Sequence, residues 1–263
     1  AATSLLGSMR SHPWLQPVGL HTYGGTQCHD PELWLSQVAF LHKRARVWEG
    51  EMGLPPLHLN VGGGFAVPTF LGDPPPFDLG RAGEAMRERI AADSVDRSWM
   101  VELGRYLTAP AGVFLATVRD VKRNGAQTFA VLDGGSQHHS AAAGLGGVIK
   151  RNPPVVRIDT PGEATEPRGA SDPEASVQLV GPLCTPTDRF GAPVQLRSGS
   201  PGAIAPWDTL AFLGAGAYGL TFSNSRFLSH PTPAEIMVRE GEAHLARHRR
   251  GFESAVMDQR ALP

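Results

Sequence analysis

The chain has 263 residues, of which 41% are hydrophobic and 19% charged, with a formal net charge of −1 at pH 7. This is the balance of a globular protein with room for one large domain or two ordinary ones, and it gives no electrostatic case for nucleic acid or an acidic membrane surface. No apolar run approaches the roughly 20 residues of a membrane span, and Ala1-Ala-Thr-Ser-Leu-Leu-Gly7 lacks the basic start and apolar core of a secretory signal. Cys28 and Cys184 lie far apart and suggest no disulfide framework, so a reduced, cytoplasmic setting is expected. The chain begins without Met, which leads us to expect a processed or shortened piece.

Pro17–Tyr23 reads as a short buried strand, followed by the loop Gly24-Gly25-Thr26. Trp34, Val38, Leu41, Ala45 and Trp48 recur at helical spacing, with Asp30-Pro31 as cap and first turn. Leu57–Val61 is the next strand and runs into Gly62-Gly63-Gly64-Phe65. After a proline-rich loop (74–76), residues 79–92 form a second helix with Leu79, Ala82, Met86 and Ile90 on one side. Ser98–Glu102 is a third strand. Strand, helix, strand, helix, strand is a parallel α/β pattern.

The pattern changes near Pro110. Gly112–Arg123 is a long β run, Asn124-Gly125 is a hairpin turn, and Ala126–Leu132 runs back. Pro154–Ile158, Ser176–Val180 and Thr209–Leu213 add strands with no helix between them. Residues 160–175, rich in Pro, Gly and acids, read as a mobile surface loop, and Ala234–Met257 as a helical tail. We therefore expect an α/β domain over 1–110 and a mostly antiparallel β domain over 111–263.

Three strand ends carry unusual residues: Tyr23–Thr26, Gly62–Gly64, and Glu102 with Arg105 on either side of Gly104. Active sites of parallel α/β structures lie at such carboxyl ends. Glu102 and Arg105 follow an apolar run, where a charge needs a partner, and an ion pair capping the strand fits them as well as a site does. A glycine triplet after a strand is a tight turn or an anion cradle; with an arginine two elements later, a bound phosphate is the better reading.

Leu59-Asn-Val-Gly-Gly-Gly-Phe65, Glu102-Leu-Gly-Arg-Tyr-Leu107, Gly181-Pro-Leu-Cys-Thr-Pro-Thr-Asp188 and Gly214-Ala-Gly-Ala-Tyr218, in this order, resemble the pyridoxal-phosphate decarboxylases of the ornithine/diaminopimelate/arginine group. The resemblance implies the later part of a (β/α)8 alanine-racemase-like barrel followed by a β domain, and pyridoxal 5'-phosphate as cofactor. It implies that Gly62, Gly63 and Gly64 cradle the phosphate, that Glu102 faces the pyridine nitrogen, and that Gly104 and Arg105 lie against the cofactor, with Arg105 also reaching the substrate. Tyr218 would touch phosphate or substrate. Cys184, by itself readable as an inert buried thiol, would return a proton to the substrate in the partner subunit of a homodimer.

The departures from that family are informative. Tyr23 stands where most relatives carry a ring-stacking histidine, and Thr26 stands where a serine is usual. Thr185 follows Cys184 where relatives acting on free amino acids carry an acid, and Asp133–Gly144 lacks their substrate-binding arginine. The resemblance thus implies decarboxylation of an amino acid or an amino-acid-derived substrate, and the departures look more like the branch that acts on carrier-tethered or biosynthetic-cluster substrates, including decarboxylases beside exopolysaccharide export systems. The lysines are Lys43, Lys122 and Lys150, none at an early strand end. The family's cofactor-bonding lysine is therefore expected upstream, leaving this piece inactive by itself. A non-catalytic paralogue that pairs with another chain is the alternative.

Three further patterns carry less. Gly214-x-Gly216-x-x-Gly219 spells a dinucleotide fingerprint, but Leu220-Thr-Phe222 reads as extended rather than as a helix start. His244 and His248, at i, i+4 on the expected tail helix among Arg247, Arg249 and Arg250, read as a solvated basic face rather than a metal pair. His138-His139 are expected to line the site near Asp133.

Overall fold

The computed structural model describes residues 2–70, 72–145, 152–158, 176–196 and 203–260; the loop read at 160–175 and Lys150 lie outside them. Two units separate, Ala1–Pro68 with Asp73–Leu107 and Thr69–Gly72 with Thr108–Pro263.

The first unit opens with helix α1 (Ala2–Ser11), a short helix with little apolar patterning, which buries only Leu6. Helix α2 (Pro31–Met52) starts where the Asp30 carboxylate accepts from Glu32 N–H and ends where Gly53 turns left-handed (φ 59°). Helix α3 (Leu79–Ala91) is capped by Asp78, and α4 (Arg105–Thr108) is a single turn. Strands β1 (Gly19–His21), β2 (His58–Gly63) and β3 (Trp99–Glu102) form a parallel sheet in the order β1-β2-β3. Trp34, Val38, Leu41 and Ala45 of α2 pack on Leu57, Leu59 and Val61, with Phe65 stacked on Phe77 at 3.8 Å. Of the expected α3 stripe only Ala82 is buried, with Ala85 and Met86 against the core; Leu79 and Ile90 are exposed.

An ionic cluster fastens α2 to the loop between α3 and β3. Arg97, with no side-chain exposure, donates to both oxygens of Glu49 (2.6 and 3.1 Å), to Asp93 (2.6 Å) and to Leu57 O. Desolvation would raise the carboxyl groups of Glu49 and Asp93, but the hydrogen bonds from Arg97 outweigh it and hold both below their ordinary range. His42 Nε2 lies 3.0 Å from Asp93.

In the second unit β4 (Val113–Asn124), β5 (Gln127–Leu132), β6 (Val155–Ile158), β7 (Val177–Val180), β8 (Arg189–Val194) and β9 (Thr209–Leu213) form one sheet, ordered β6-β9-β4-β5-β7-β8. All its pairs are antiparallel except β5 with β7. One face carries Val118, Ala130, Leu132, Leu179, Phe190, Leu210 and Phe212 into the core. β8 escapes the sequence reading because Gly191 and Pro193 interrupt its alternation.

The expected helical tail is a hairpin instead. β10 (Glu235–Arg239) pairs with β11 (Glu242–Arg247) across Glu240-Gly241, both at positive φ (54° and 85°), the backbone a two-residue hairpin turn requires. Only α5 (Glu253–Val256) is helical there. His244 therefore sits on a strand and His248 beyond its end, so the expected i, i+4 face does not exist. Leu220–Phe222 is a 3-10 turn rather than an extended run. The glycines before it serve packing: a Cβ on Gly216 would overlap Thr108 O, and one on Gly112 would overlap Gly216 N.

Candidate active site

The three parallel strands bring their carboxyl ends to one edge. Register aligns His21 with Asn60 and Gly63 with Glu102. Asn60 Nδ2 donates to Glu102 Oε1 at 2.7 Å, and Asn60 Oδ1 accepts from Gly62 N–H at 3.0 Å. His21 Nε2 lies 3.9 Å from the same carboxylate oxygen. The first strand is shorter and less buried than its sequence suggested, because it is an edge strand: His21 is exposed, and Tyr23 beyond it is 56% exposed. Glu102 is likewise not a buried charge. Its side chain is 55% exposed, and Met100 and Val101 before it are exposed, since no described strand pairs beyond β3.

Gly62 and Gly64 adopt φ of 68° and 79°. A Cβ at Gly62 would overlap Thr22 O, at Gly63 Glu102 O, and at Gly64 Gly25 O. The triplet is thus required for the backbones of all three strand ends to meet. Gly62 N–H is already used by Asn60, so an anion here takes its donors from elsewhere in the turn. Thr26 and Gly104 are exposed, and Arg105 is half-buried at the start of α4. This edge brings together Tyr23, Thr26, Gly62–Gly64, Glu102, Gly104 and Arg105. It adds His21 and Asn60, to which the sequence reading assigned no role. Asn60 could have been found from its place two residues before the glycine turn, where a side-chain amide can reach both neighbours.

Cys184 and Tyr218 belong to the second unit. Cys184 is exposed on the β7–β8 loop, not an inert buried thiol. Asp188, 3% exposed, shapes that loop by accepting from Leu183 N–H (2.8 Å) and Ser136 N–H (2.6 Å). Tyr218 holds a left-handed backbone (φ 55°), with its ring edge-on to Phe222. His138 and His139 are packed in the interior, 6% and 5% exposed, against Phe114. His138 Nε2 hydrogen-bonds Pro231 O (2.8 Å), and Asp133 Oδ1 accepts from Thr117 N–H. Burial lowers both imidazoles, His139 to about 4, and both rings pack edge-on against Phe114. Among the described residues no group of three His, Cys, Asp or Glu could hold a metal.

Residues 33–216 match the family described as pyridoxal-dependent decarboxylase, C-terminal sheet domain, and the chain belongs to that family. It is 31% identical over 260 residues to the L-glutamyl-[BtrI acyl-carrier protein] decarboxylase of Niallia circulans, covering 97% of this chain and 58% of that protein. It is 29% identical over 225 residues to the 2-[(L-alanin-3-ylcarbamoyl)methyl]-2-hydroxybutanedioate decarboxylase of Staphylococcus aureus, covering 84% and 53%. The diaminopimelate decarboxylase of M. jannaschii superposes with a TM-score of 0.79 at 19% identity, over 100% of this chain and 56% of that one, which establishes a shared fold. The chain thus spans between half and three-fifths of these proteins. The cofactor of the family is pyridoxal phosphate. The strand-end residues fit it: an exposed carboxylate held through one oxygen, an aromatic ring and a hydroxyl beyond β1, and a basic side chain after β3.

Proposed function

We propose that this protein is a pyridoxal-phosphate-dependent decarboxylase of an amino-acid-derived, carrier-tethered substrate. The observation that carries the reading is the Glu102 carboxylate at the carboxyl edge of β3, fixed by Asn60, in a chain of this family. When bound, the cofactor's protonated ring supplies the electron sink that lets a carboxylate leave as carbon dioxide. Glu102 keeps the ring nitrogen protonated by accepting its N–H. Tyr23 stacks on the ring, Thr26 and the Gly62–Gly64 turn, through N–H groups other than that of Gly62, hold the phosphate end, and Gly104 lets the chain approach closely. Arg105 and Tyr218 meet phosphate or substrate carboxylate. Cys184 returns the proton to the carbon that lost carbon dioxide, and its exposure on a loop is what reaching into another subunit's site requires. A homodimer with shared sites follows from that role, and two free thiols, one of them exposed, fit a reducing, cytoplasmic setting. β1–β3 belong to a (β/α)8 barrel over 1–110, with the cofactor-bonding lysine outside the three lysines of this chain.

The carrier-tethered substrate is supported by the similarity to a decarboxylase of an acyl-carrier-linked glutamyl group, by Thr185 in place of an acid, and by the lack of arginine in Asp133–Gly144. The test is the natural gene product, expressed from its native start. It should bind pyridoxal phosphate with a visible absorbance band and release carbon dioxide from an aminoacyl-carrier faster than from free glutamate or diaminopimelate. A preference for a free amino acid would overturn the carrier assignment. A product that binds no pyridoxal phosphate would instead support a partner-binding module.

A further inference from the structure

The face of the second unit's sheet that turns away from its core carries a groove of about 660 Å³. Strand register builds it. Lys122 on β4 pairs with Phe129 on β5, and one row further Val131 on β5 pairs with Val180 on β7, which pairs with Arg189 on β8. Ala130, Leu132, Leu179 and Phe190 alternate with these residues and fill the core, so Phe129, Val131 and Val180 are left on the opposite side, half-buried. A cation stands at each end of this apolar strip. Neither Lys122 nor Arg189 has an ion-pair partner among the described residues, and the carboxylate on the lining is Asp188, withdrawn into the β7–β8 loop with Leu183 and Ser136 N–H on its oxygens. The groove is therefore cationic and apolar at once. It continues onto Leu183 and Thr185, the residues on either side of Cys184.

We propose that this groove seats the phosphodiester-linked pantetheine arm of an acyl-carrier partner, an inference that rests on the carrier-tethered reading above. Such an arm is a flexible run of amides and methylenes with one phosphate charge near the carrier and a thioester at its tip. It calls for a cation, an apolar trough and an exit beside a reacting group, and this groove provides all three. Its volume also suits: sites of ~300–1,000 Å³ hold ligands well beyond the size of a free amino acid. A neutral Thr185 keeps the exit beside Cys184 uncharged, as the thioester tip of the arm requires.

The test uses 4'-phosphopantetheine and pantetheine as probes, titrated by calorimetry into the natural gene product. The phosphorylated probe should bind at least tenfold more tightly, and Lys122→Glu/Arg189→Glu should erase that difference. Lys122→Ala alone, a change on an exposed strand end, should reduce it several-fold with an unaltered melting temperature. Equal binding of the two probes, or a preference that survives the double substitution, overturns the groove. Turnover separates this proposal from its parent. If the unaltered protein decarboxylates the tethered substrate, the double variant should raise KM at least tenfold while leaving turnover of the same acyl group on a small thiol unchanged; an unchanged KM defeats the groove alone. Absence of tethered turnover in the unaltered protein defeats the carrier reading, and this inference with it.

Discussion

Asn60 and Glu102 are joined by a 2.7 Å hydrogen bond from the amide of one strand to the carboxylate of the next. The same amide accepts Gly62 N–H through its oxygen, so one side chain ties the glycine turn to the acid. Oε2 of Glu102 takes no hydrogen bond from the described residues, and the side chain as a whole is 55% exposed. A carboxylate held on one side and open on the other is suited to accept a ring N–H, and Asn60 sets its direction.

The β7–β8 loop depends on Asp188. Asp188→Ala leaves two backbone N–H groups, of Leu183 and Ser136, unpaired in a buried place, at a cost of about 1–3 kcal/mol each. The denaturation midpoint should fall accordingly, and Cys184 should react faster with a thiol reagent as its loop loosens. Asp188→Asn should lose less, since its amide oxygen still accepts. An unchanged midpoint and an unchanged thiol rate in Asp188→Ala would show that the loop is shaped by something else.

How much of this could be read from the chain varies with the physics involved. α2 was legible because its cap, first-turn proline and apolar spacing agree. The parallel β-α-β run and the strand-end motifs were legible for the same reason. The tail was not: residues 234–257 carry enough Ala, Glu and Arg to suggest a helix, and only the backbone of Glu240-Gly241 shows that the chain reverses there. Glu102 was misjudged because apolar neighbours normally imply burial, whereas Met100 and Val101 lie on an edge strand. Asn60, Asp188 and Arg97 act through contacts 42, 52 and 48 residues away, and no local pattern reports such partners.

The cluster around Arg97 gives a pH signature. Glu49 and Asp93 are both held below their unfolded values of 4.5 and 3.8. The stability they contribute is fully present above about pH 4.5 and is lost as pH falls through their lowered folded values. Arg97→Met removes the partner and strands two buried carboxylates, which should cost about 3–5 kcal/mol. It should also flatten the acid limb of a stability–pH profile below pH 4.5. A variant whose acid limb matches the original would show that the cluster is not the source.

His139 gives a second, separable window. Burial holds its imidazole at about 4 against an unfolded value of 6.5. The unfolded chain therefore binds the extra proton first, and stability present above pH 6.5 is lost as pH falls toward 4. Between pH 7.5 and pH 5 the original protein should lose about 2 kcal/mol more than His139→Leu. Denaturant melts at the two pH values measure this directly, and parallel losses in both proteins would contradict it.

The central claim is that Glu102 holds the protonated ring of pyridoxal phosphate at the carboxyl edge of β3. The most direct measurement is carbon dioxide release by the natural gene product carrying Glu102→Gln, with cofactor content measured on the same sample. Loss of the ring's charge partner should lower turnover by roughly a hundredfold or more while much of the cofactor stays bound. Asn60→Ala, which frees the carboxylate's direction but keeps its charge, should cost about tenfold. Turnover within a factor of two of the original in Glu102→Gln, with normal cofactor content, would contradict the role assigned to this residue.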